Sequence, residues 1–493
     1  MKNHLWDSVD DPLRLRSGRA CSPRAASYFA VHPGPIKGFR VARTPSNRIN
    51  GLICSVIALT LSACSLAPSY QRPEMAIPHG WSSVADVGVS DEPSTTPFWR
   101  ELGSTDLNRL VALALAQNLD LEAALYRIDQ ARAQAKVAGA PLYPTVNASG
   151  SSSRFYQDSS DTNSARGGGG ITYEVDLWSK NRNQAKSADH RAEASEFDRE
   201  ALRLVITSDV SNFYTQLLSL NDRIRIAEFN LKNAEEILRI IEERFAQGAV
   251  SGLEVSQQRV AVNSFRATLA SLIEQRTTTA NALAILLGLA PQNFSAPSTE
   301  LSSVKMPQVN LTPPADLLSE RPDVESAEAG LRAVNADIGV ARAAFFPSLT
   351  LGLDSTIAAG FGNPAAAATS LAANLLAPIF SGGRLTGNLE NVTARQKELA
   401  AQYQKTVLTA FREVEDALAA LKSANDRAVL SRQTVSESQN AYDIAKARFD
   451  AGAIDYLTLL ETQRSLYQAQ DNQISINQGR LQSFVQLRKA LGS

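Results

Sequence analysis

Arg448-Phe449-Asp450-Ala451-Gly452-Ala453-Ile454-Asp455-Tyr456-Leu457-Thr458-Leu459-Leu460-Glu461 decides how this chain is read. Helical periodicity runs into the stretch and out of it. Gly452 stands where a tight reversal needs a residue free to take positive φ. The same device occurs earlier, as Arg244-Phe245-Ala246-Gln247-Gly248-Ala249-Val250-Ser251-Gly252-Leu253-Glu254-Val255. Two helical hairpins therefore turn back at matching tips. Such a pair is either two ordinary αα-hairpins of a coiled-coil protein or the closing end of a tube.

Outward from the tips the helices are long. Residues 181–245 keep a helical pattern without proline, and at 1.5 Å per residue they span roughly 100 Å. That exceeds what a globular domain needs. The return helix keeps heptad-like intervals at Val255, Val262, Leu269, Ile273, Ala280, Leu283 and Leu287, the spacing of a coiled-coil seam. In the second copy, residues 384–449 and 454–491 predict the same pair. Before the first hairpin, Ser104 or Thr105 caps a helix expected to reach Ala140, where Pro141 and Pro144 stop it.

Between helices the period changes. Ile171, Tyr173, Val175 and Leu177 alternate with Thr172, Glu174 and Asp176, which predicts a strand with one apolar and one polar face. Residues 145–156 are its weaker partner, with the Gly-rich stretch 157–170 as their loop. The second copy is clearer. Leu349, Leu351 and Leu353 point one way and Thr350, Gly352 and Asp354 the other. Gly360-Phe-Gly-Asn-Pro364 turns, and residues 368–380 return.

The two copies align throughout. Asn118-Leu-Asp-Leu121 matches Arg321-Pro-Asp-Val324, and Leu142-Tyr-Pro-Thr-Val146 matches Phe345-Phe-Pro-Ser-Leu349. Asp176-Leu-Trp-Ser179 matches Pro378-Ile-Phe-Ser381, and Arg244 to Gly248 matches Arg448 to Gly452. The offsets stay near about 203 residues, the signature of one duplicated unit. The expected organisation is a leader over 1–63 and an extended, Pro-rich segment over 64–103. A first repeat spans 104–290, a Pro-rich linker 291–315, and a second repeat 316–493.

Strands of about ten residues with one apolar face suit an outer-membrane barrel. Four strands cannot close one, because the smallest has about eight. Open edges facing lipid would leave backbone groups unpaired. If the strands span a membrane the protein must oligomerise: two copies give eight strands and three give twelve. The other reading is a soluble sheet.

The leader points to the same compartment. Residues 51–63 form a short apolar run, preceded by Arg40, Arg43 and Arg48, and suit a signal-peptide core better than a membrane span. Leu61-Ser62-Ala63-Cys64 resembles a bacterial lipobox, with the Cys64 thiol as acceptor of diacylglycerol. Ser65 follows where inner-membrane retention usually shows Asp. Some forty residues precede the basic region, more than a signal peptide needs, so translation is expected to start downstream, at Val31 or Val41.

Of 493 residues, 44% are apolar and only 6% aromatic, and the formal net charge is −1. Residues 1–63 hold nine Lys/Arg and three Asp, which leaves 40 basic and 47 acidic groups in the rest. A mildly acidic body argues against nucleic-acid binding. Cys21, Cys54 and Cys64 all lie in the first 64 residues, so the body has no disulfide or Cys-based metal site. His79 and His190 stand alone. No catalytic constellation, metal site or cofactor motif is apparent.

Taken together, Cys64 with Pro68-Ser-Tyr70-Gln-Arg-Pro73, Asn118-Leu-Asp-Leu121, Ala131-Arg-Ala133, Asp316 to Val324, Ala341 to Pro347, and Arg448-Phe449 through Gln463-Arg464 resemble the outer-membrane factor family. These are the TolC-type efflux channels, and the likeness is to their lipoprotein (NodT-type) branch. It covers residues 64–493, and the run from Asp316 to Pro347 is its most specific part. The resemblance implies a mainly α fold with membrane β: a homotrimer whose twelve-stranded barrel, four strands per chain, is continued by a periplasmic α-helical barrel. It implies passive export, not enzymatic activity. A periplasmic adaptor and an inner-membrane pump, expected to be of the RND type, are the partners, with lipid around the barrel. Gly248, Ala249 and Val250, with Gly452, Ala453 and Ile454, are the implied adaptor-contact tips. Leu457 and Glu461, with Arg448 and Leu253 near them, are the implied periplasmic constriction. Leu457 and Glu461, four apart, share a helix face. A type I protein-secretion channel shares the fold, and a periplasmic coiled-coil or adaptor protein is the remaining class. An adaptor would carry one hairpin beside soluble β-domains, whereas this chain carries two hairpins with strand pairs.

Overall fold

The computed structural model describes residues 65–82, 89–90, 96–156, 162–360 and 363–493. Cys64 and the leader lie outside them.

A short helix α1 (Phe98–Glu101) closes the extended segment, and the first repeat comprises α2 (Thr105–Gln117), α3 (Leu119–Gly139), β1 (Thr145–Phe155), β2 (Thr162–Val175), α4 (Lys180–Ala246) and α5 (Gly252–Leu286). The second comprises α6 (Leu317–Glu320), α7 (Pro322–Ala343), β3 (Ser348–Gly360), β4 (Asn363–Leu376), α8 (Arg384–Asp450) and α9 (Tyr456–Ala490). The duplication is metrically close. Both α4 and α8 have 67 residues, and both α5 and α9 have 35.

The single helix expected over 104–140 is two. Ser104 does cap its start, accepting from the Leu107 N–H at 3.2 Å. Asn118 then interrupts it with extended backbone. Its Oδ1 accepts from the N–H groups of Asp120 and Leu121, both at 3.0 Å, and caps α3. Its Nδ2 donates to the Leu286 carbonyl at 2.9 Å, fixing this break to the end of α5. Leu119, which continues the helical apolar spacing of Leu107, Leu110, Val111, Ala114 and Leu115, is exposed because the break turns it outward. In the second repeat Arg321 does the matching work by different chemistry. It precedes Pro322 at the first position of α7. Its guanidinium holds Asp323 through two bonds (2.9 and 2.7 Å), Glu413 at 2.8 Å and the Ala490 carbonyl at 3.0 Å. Arg-Pro-Asp is thus the knot joining α7, α8 and the end of α9.

The strands form one antiparallel sheet in the order β1-β2-β3-β4. The stretch expected as a loop before Gly170 is strand from Thr162. A run of Gly167–Gly170 carries no side-chain periodicity, so pattern reading misses it, but it pairs in register with β1 and β3. The return strand occupies 363–376 rather than 368–380. The register sorts the faces. Val146, Ile171, Leu353 and Leu371 form one row across all four strands, with Tyr173, Leu351 and Ala373 in the next row on that face. The opposite face carries Asn147, Asp354 and Ser370, and in another row Glu174, Thr350 and Asn374. Ile171, Leu351, Leu353, Ile357, Leu371 and Leu375 are all exposed in the single chain. The outer edges of β1 and β4 have no strand partner among the described residues.

The principal core lies where α2, α4, α8 and α9 meet, around Leu107, Tyr214, Leu217, Tyr403, Leu418 and Phe484. No helix of the described residues is long and apolar enough to cross a membrane.

Candidate functional site

Three places carry the features from which function can be argued: the hairpin tips, the sheet, and the segment just after Cys64.

At the tips, Gly248 and Gly452 take φ of 73° and 74°. Each closes its helix with the paired bonds of a Schellman motif. Gly248 and Ala249 donate to the carbonyls of Phe245 and Arg244, both at 2.9 Å. Gly452 and Ala453 donate to those of Phe449 and Arg448, at 3.0 and 2.8 Å. The next helices start with caps whose signals, Ser251-x-x-Glu254 and Asp455, stand in the sequence. Ser251 and Glu254 form a capping box at α5. Asp455 accepts from the Thr458 N–H at 2.8 Å at α9. Hydrogen bonds from Thr458 hold the Asp455 carboxyl below the usual range, and those from Ser251 do the same for Glu254.

The two tips share one apolar cluster containing Ile241, Val255, Phe449, Tyr456 and Leu460, with Val250 and Ile454 half-buried against it. The Arg244 guanidinium sits 4.6 Å from the Phe449 ring centroid. Gln258, fully buried, donates to the Ala234 carbonyl at 2.6 Å and accepts from the Tyr456 hydroxyl. Burial pushes the Tyr456 phenol up to about 12. These cross-hairpin links were not anticipated, although a buried Gln at a seam position is a signal for them. Of the residues assigned in sequence to contact and gating, Val250 and Ile454 pack against this cluster and the others lie outside it. Ala249 and Ala453 are exposed, as are Arg448, Leu253, Leu457 and Glu461. Leu457 and Glu461 share an exposed flank of α9 beside the stripe of buried Tyr456, Leu460 and Gln463.

The segment after Cys64 is a strap along α7. Leu66 and Pro68 offer carbonyls to Arg342 (3.2 Å) and Asn335 (2.8 Å). Tyr70 and Arg72 both donate to Glu328, at 3.2 and 2.5 Å. Residues 66–72 thus run antiparallel to residues 328–342, about 20 Å by either the extended or the helical rise. Gly339 makes room, since a Cβ there would meet the Ala67 Cβ at 2.7 Å. The strap's start lies at the end of α7 that leads into β3. Further on, the Trp81 indole donates to the Thr312 carbonyl at 2.8 Å.

Burial alone would raise the Glu328 carboxyl, but hydrogen bonds from Arg72 and Arg332 outweigh it and hold it below the usual range. No group of His, Cys, Asp and Glu that could hold a metal ion occurs among the described residues.

A strand quartet with open edges and one apolar face, joined to paired helical hairpins about 100 Å long, defines a subunit of an outer-membrane channel. The chain belongs to the outer membrane efflux protein family, which it matches over residues 110–289 and 314–493. It is 38% identical over 452 residues to the pyoverdine export outer membrane protein OpmQ of Pseudomonas aeruginosa, covering 88% of this chain and 94% of that one. It is 31% identical over 448 residues to the cation efflux system protein CusC of Escherichia coli O6:H1, covering 88% and 97%. Among solved structures, the outer-membrane channel OprN superposes with a TM-score of 0.81 at 26% identity, over 87% of this chain and 99% of that one. The fold is that of trimeric outer-membrane channels, four strands per chain toward a twelve-stranded barrel continued by helices. Such proteins are conduits and not enzymes.

Replacing Glu328 by Gln is expected to release the strap at neutral pH. Because the folded carboxyl titrates below its unfolded value of about 4.3, the wild-type contribution is complete above that value and lost as pH falls through the lower, folded one. Limited proteolysis within residues 65–82 reads the release: cleavage of the variant at pH 7, and of the wild type only in acid.

Proposed function

We propose that this chain is the outer-membrane subunit of a tripartite efflux system, passing small molecules outward through a homotrimer. The sheet carries the reading. Its apolar face exposes Val146, Ile171, Leu351, Leu353, Ile357, Leu371 and Leu375 and its two edges are open, which a membrane admits only after closure with further copies. Three copies supply twelve strands. The hairpins then form a periplasmic tunnel.

We infer from the family membership that an inner-membrane pump drives export and that a periplasmic adaptor bridges the two. The relatives are named for pyoverdine export and for cation efflux. We infer from them a small solute, set by the pump, and a pump of the RND type. Cys64 is read as the lipid attachment point. The strap supports this, because Leu66 docks at the strand end of α7, two residues after the cysteine.

We also assign the resting constriction to Leu457 and Glu461, with Leu253 and Arg448 beside them, and adaptor contact to the tips at Gly248–Val250 and Gly452–Ile454. Exposure of Leu457, Glu461, Leu253 and Arg448, and of Ala249 and Ala453, in the single chain supports these assignments, while Val250 and Ile454 are half-buried against the tip cluster. The tip glycines have open space around them, as docking of another helix end requires.

Purified protein is expected to cross-link as a trimer and to conduct in planar bilayers. The Leu457→Ala, Glu461→Ala double variant should raise resting conductance several-fold and weaken cation preference; a trimer without conductance would refute the channel reading. Bulky substitutions at Ala249 and Ala453 leave the turn glycines intact and should abolish cross-linking to the adaptor, read on blots of whole cells. Cys64→Ser should lose palmitate labelling while conductance survives, because the barrel itself holds the membrane.

A further inference from the structure

The polar face of the sheet holds two charges with no ion-pair partner among the described residues. Asp354 of β3 stands in one row with Asn147, Gly170 and Ser370. Arg166 of β2 stands in another with Ser151, Ala358 and Ala366, four residues nearer the β1–β2 loop. A third charge on this face, Glu174, is matched by Lys180 at 3.1 Å. Asp354 is left bare by its neighbours. Its Oδ1 occupies the place where a Gly170 side chain would begin, and its Oδ2 lies 3.7 Å from where a Gly352 Cβ would be. The carboxylate therefore lies over two glycines, one across the ladder and one along its own strand, with Thr356 and Ser370 completing its surroundings. Glycine weakens a strand interior and often marks close approach by another group. At Gly170 the approaching group is this carboxylate.

In a barrel whose apolar face meets lipid, the polar face lines the lumen. We propose that Asp354 is a charge-selecting residue of that lumen, where three carboxylates, one from each chain, favour cationic over anionic solutes at mid-barrel. The proposal rests on the channel reading above. Four strand residues separate the Asp354 and Arg166 rows by about 14 Å. That exceeds the screening length of about 8 Å at physiological salt, so the acidic ring and the basic ring nearer the outer mouth act on a passing solute one after the other. The acidic ring also lies at the far end of the tunnel from Glu461, so its effect persists when the tips are open.

A local reporter tests this without depending on the narrowest point of the pore. Ser370→Cys, directly across the ladder from Asp354, is modified from the outer side with cationic and anionic methanethiosulfonates, with the protein lacking the reporter as blank. Asp354→Asn should lower the cation-to-anion rate ratio about five-fold at low salt and less at high salt. Ser151→Cys, beside Arg166, should show the opposite preference. An unchanged ratio at a reactive Ser370→Cys overturns the proposal and leaves the channel intact. A reporter reached by neither reagent in a conducting trimer also overturns it, because the polar face would then not line the lumen. Absence of conductance in the same preparation would instead fail the channel reading.

Discussion

Unpaired backbone along the edges of β1 and β4 is the constraint on which the rest of the structure depends. In water an open edge is a nuisance; in hydrocarbon each unpaired group costs several kcal/mol. A four-stranded sheet with an exposed apolar face therefore makes sense only when other chains supply the missing ladders. Every other element serves that closure. The helices continue the wall below the sheet, the duplication supplies two near-equivalent strand pairs and two near-equivalent hairpins, and the core holds the repeats together.

The repeats are alike in plan and different in fastening. Asn118 and Arg321 each secure the start of a helix to the end of a return helix, at the Leu286 and Ala490 carbonyls. The amide does it with a cap and one bond, the guanidinium with an ionic knot around the buried Arg321. Such a knot contributes less net stability than its bond count suggests, since the guanidinium must leave water while Asp323 and Glu413 stay partly exposed. Its value is in geometry: three helix segments meet at one planar group. At the tips the fastening is again asymmetric. Gln258 and Arg244 of the first hairpin hold Tyr456 and Phe449 of the second, so the two turn back as one body within a chain.

Much of this was legible in the sequence, for identifiable reasons. Long helices announce themselves by sustained period and missing proline, and the two tips by glycine after Arg-Phe. Family membership rested on whole motifs, Arg321-Pro-Asp above all. Less legible was whatever depends on backbone pairing without side chains. Gly167–Gly170 reads as a loop and is strand, because its partners and not its own residues dictate its shape. The break at Asn118 was hidden because apolar spacing continues across it, and only the side chain's capping bonds reveal it. Contacts far apart in sequence, such as Tyr70 and Arg72 on Glu328, left no periodic trace. The assigned constriction residues are exposed, as are Ala249 and Ala453 at the tips, whereas Val250 and Ile454 are half-buried because each packs back on the cluster the two hairpins share.

Equal helix lengths act as a ruler. Because α4 matches α8 and α5 matches α9 residue for residue, both turns of a chain end level, and in a closed ring all six would. An inserted heptad lengthens a helix by about 10 Å and returns the seam to register. The distance from membrane to tip can therefore be reset to a different envelope thickness only by paired insertions in all four long helices. A change in one hairpin alone would leave alternate turns standing proud of the rim, a sawtooth instead of a flat end.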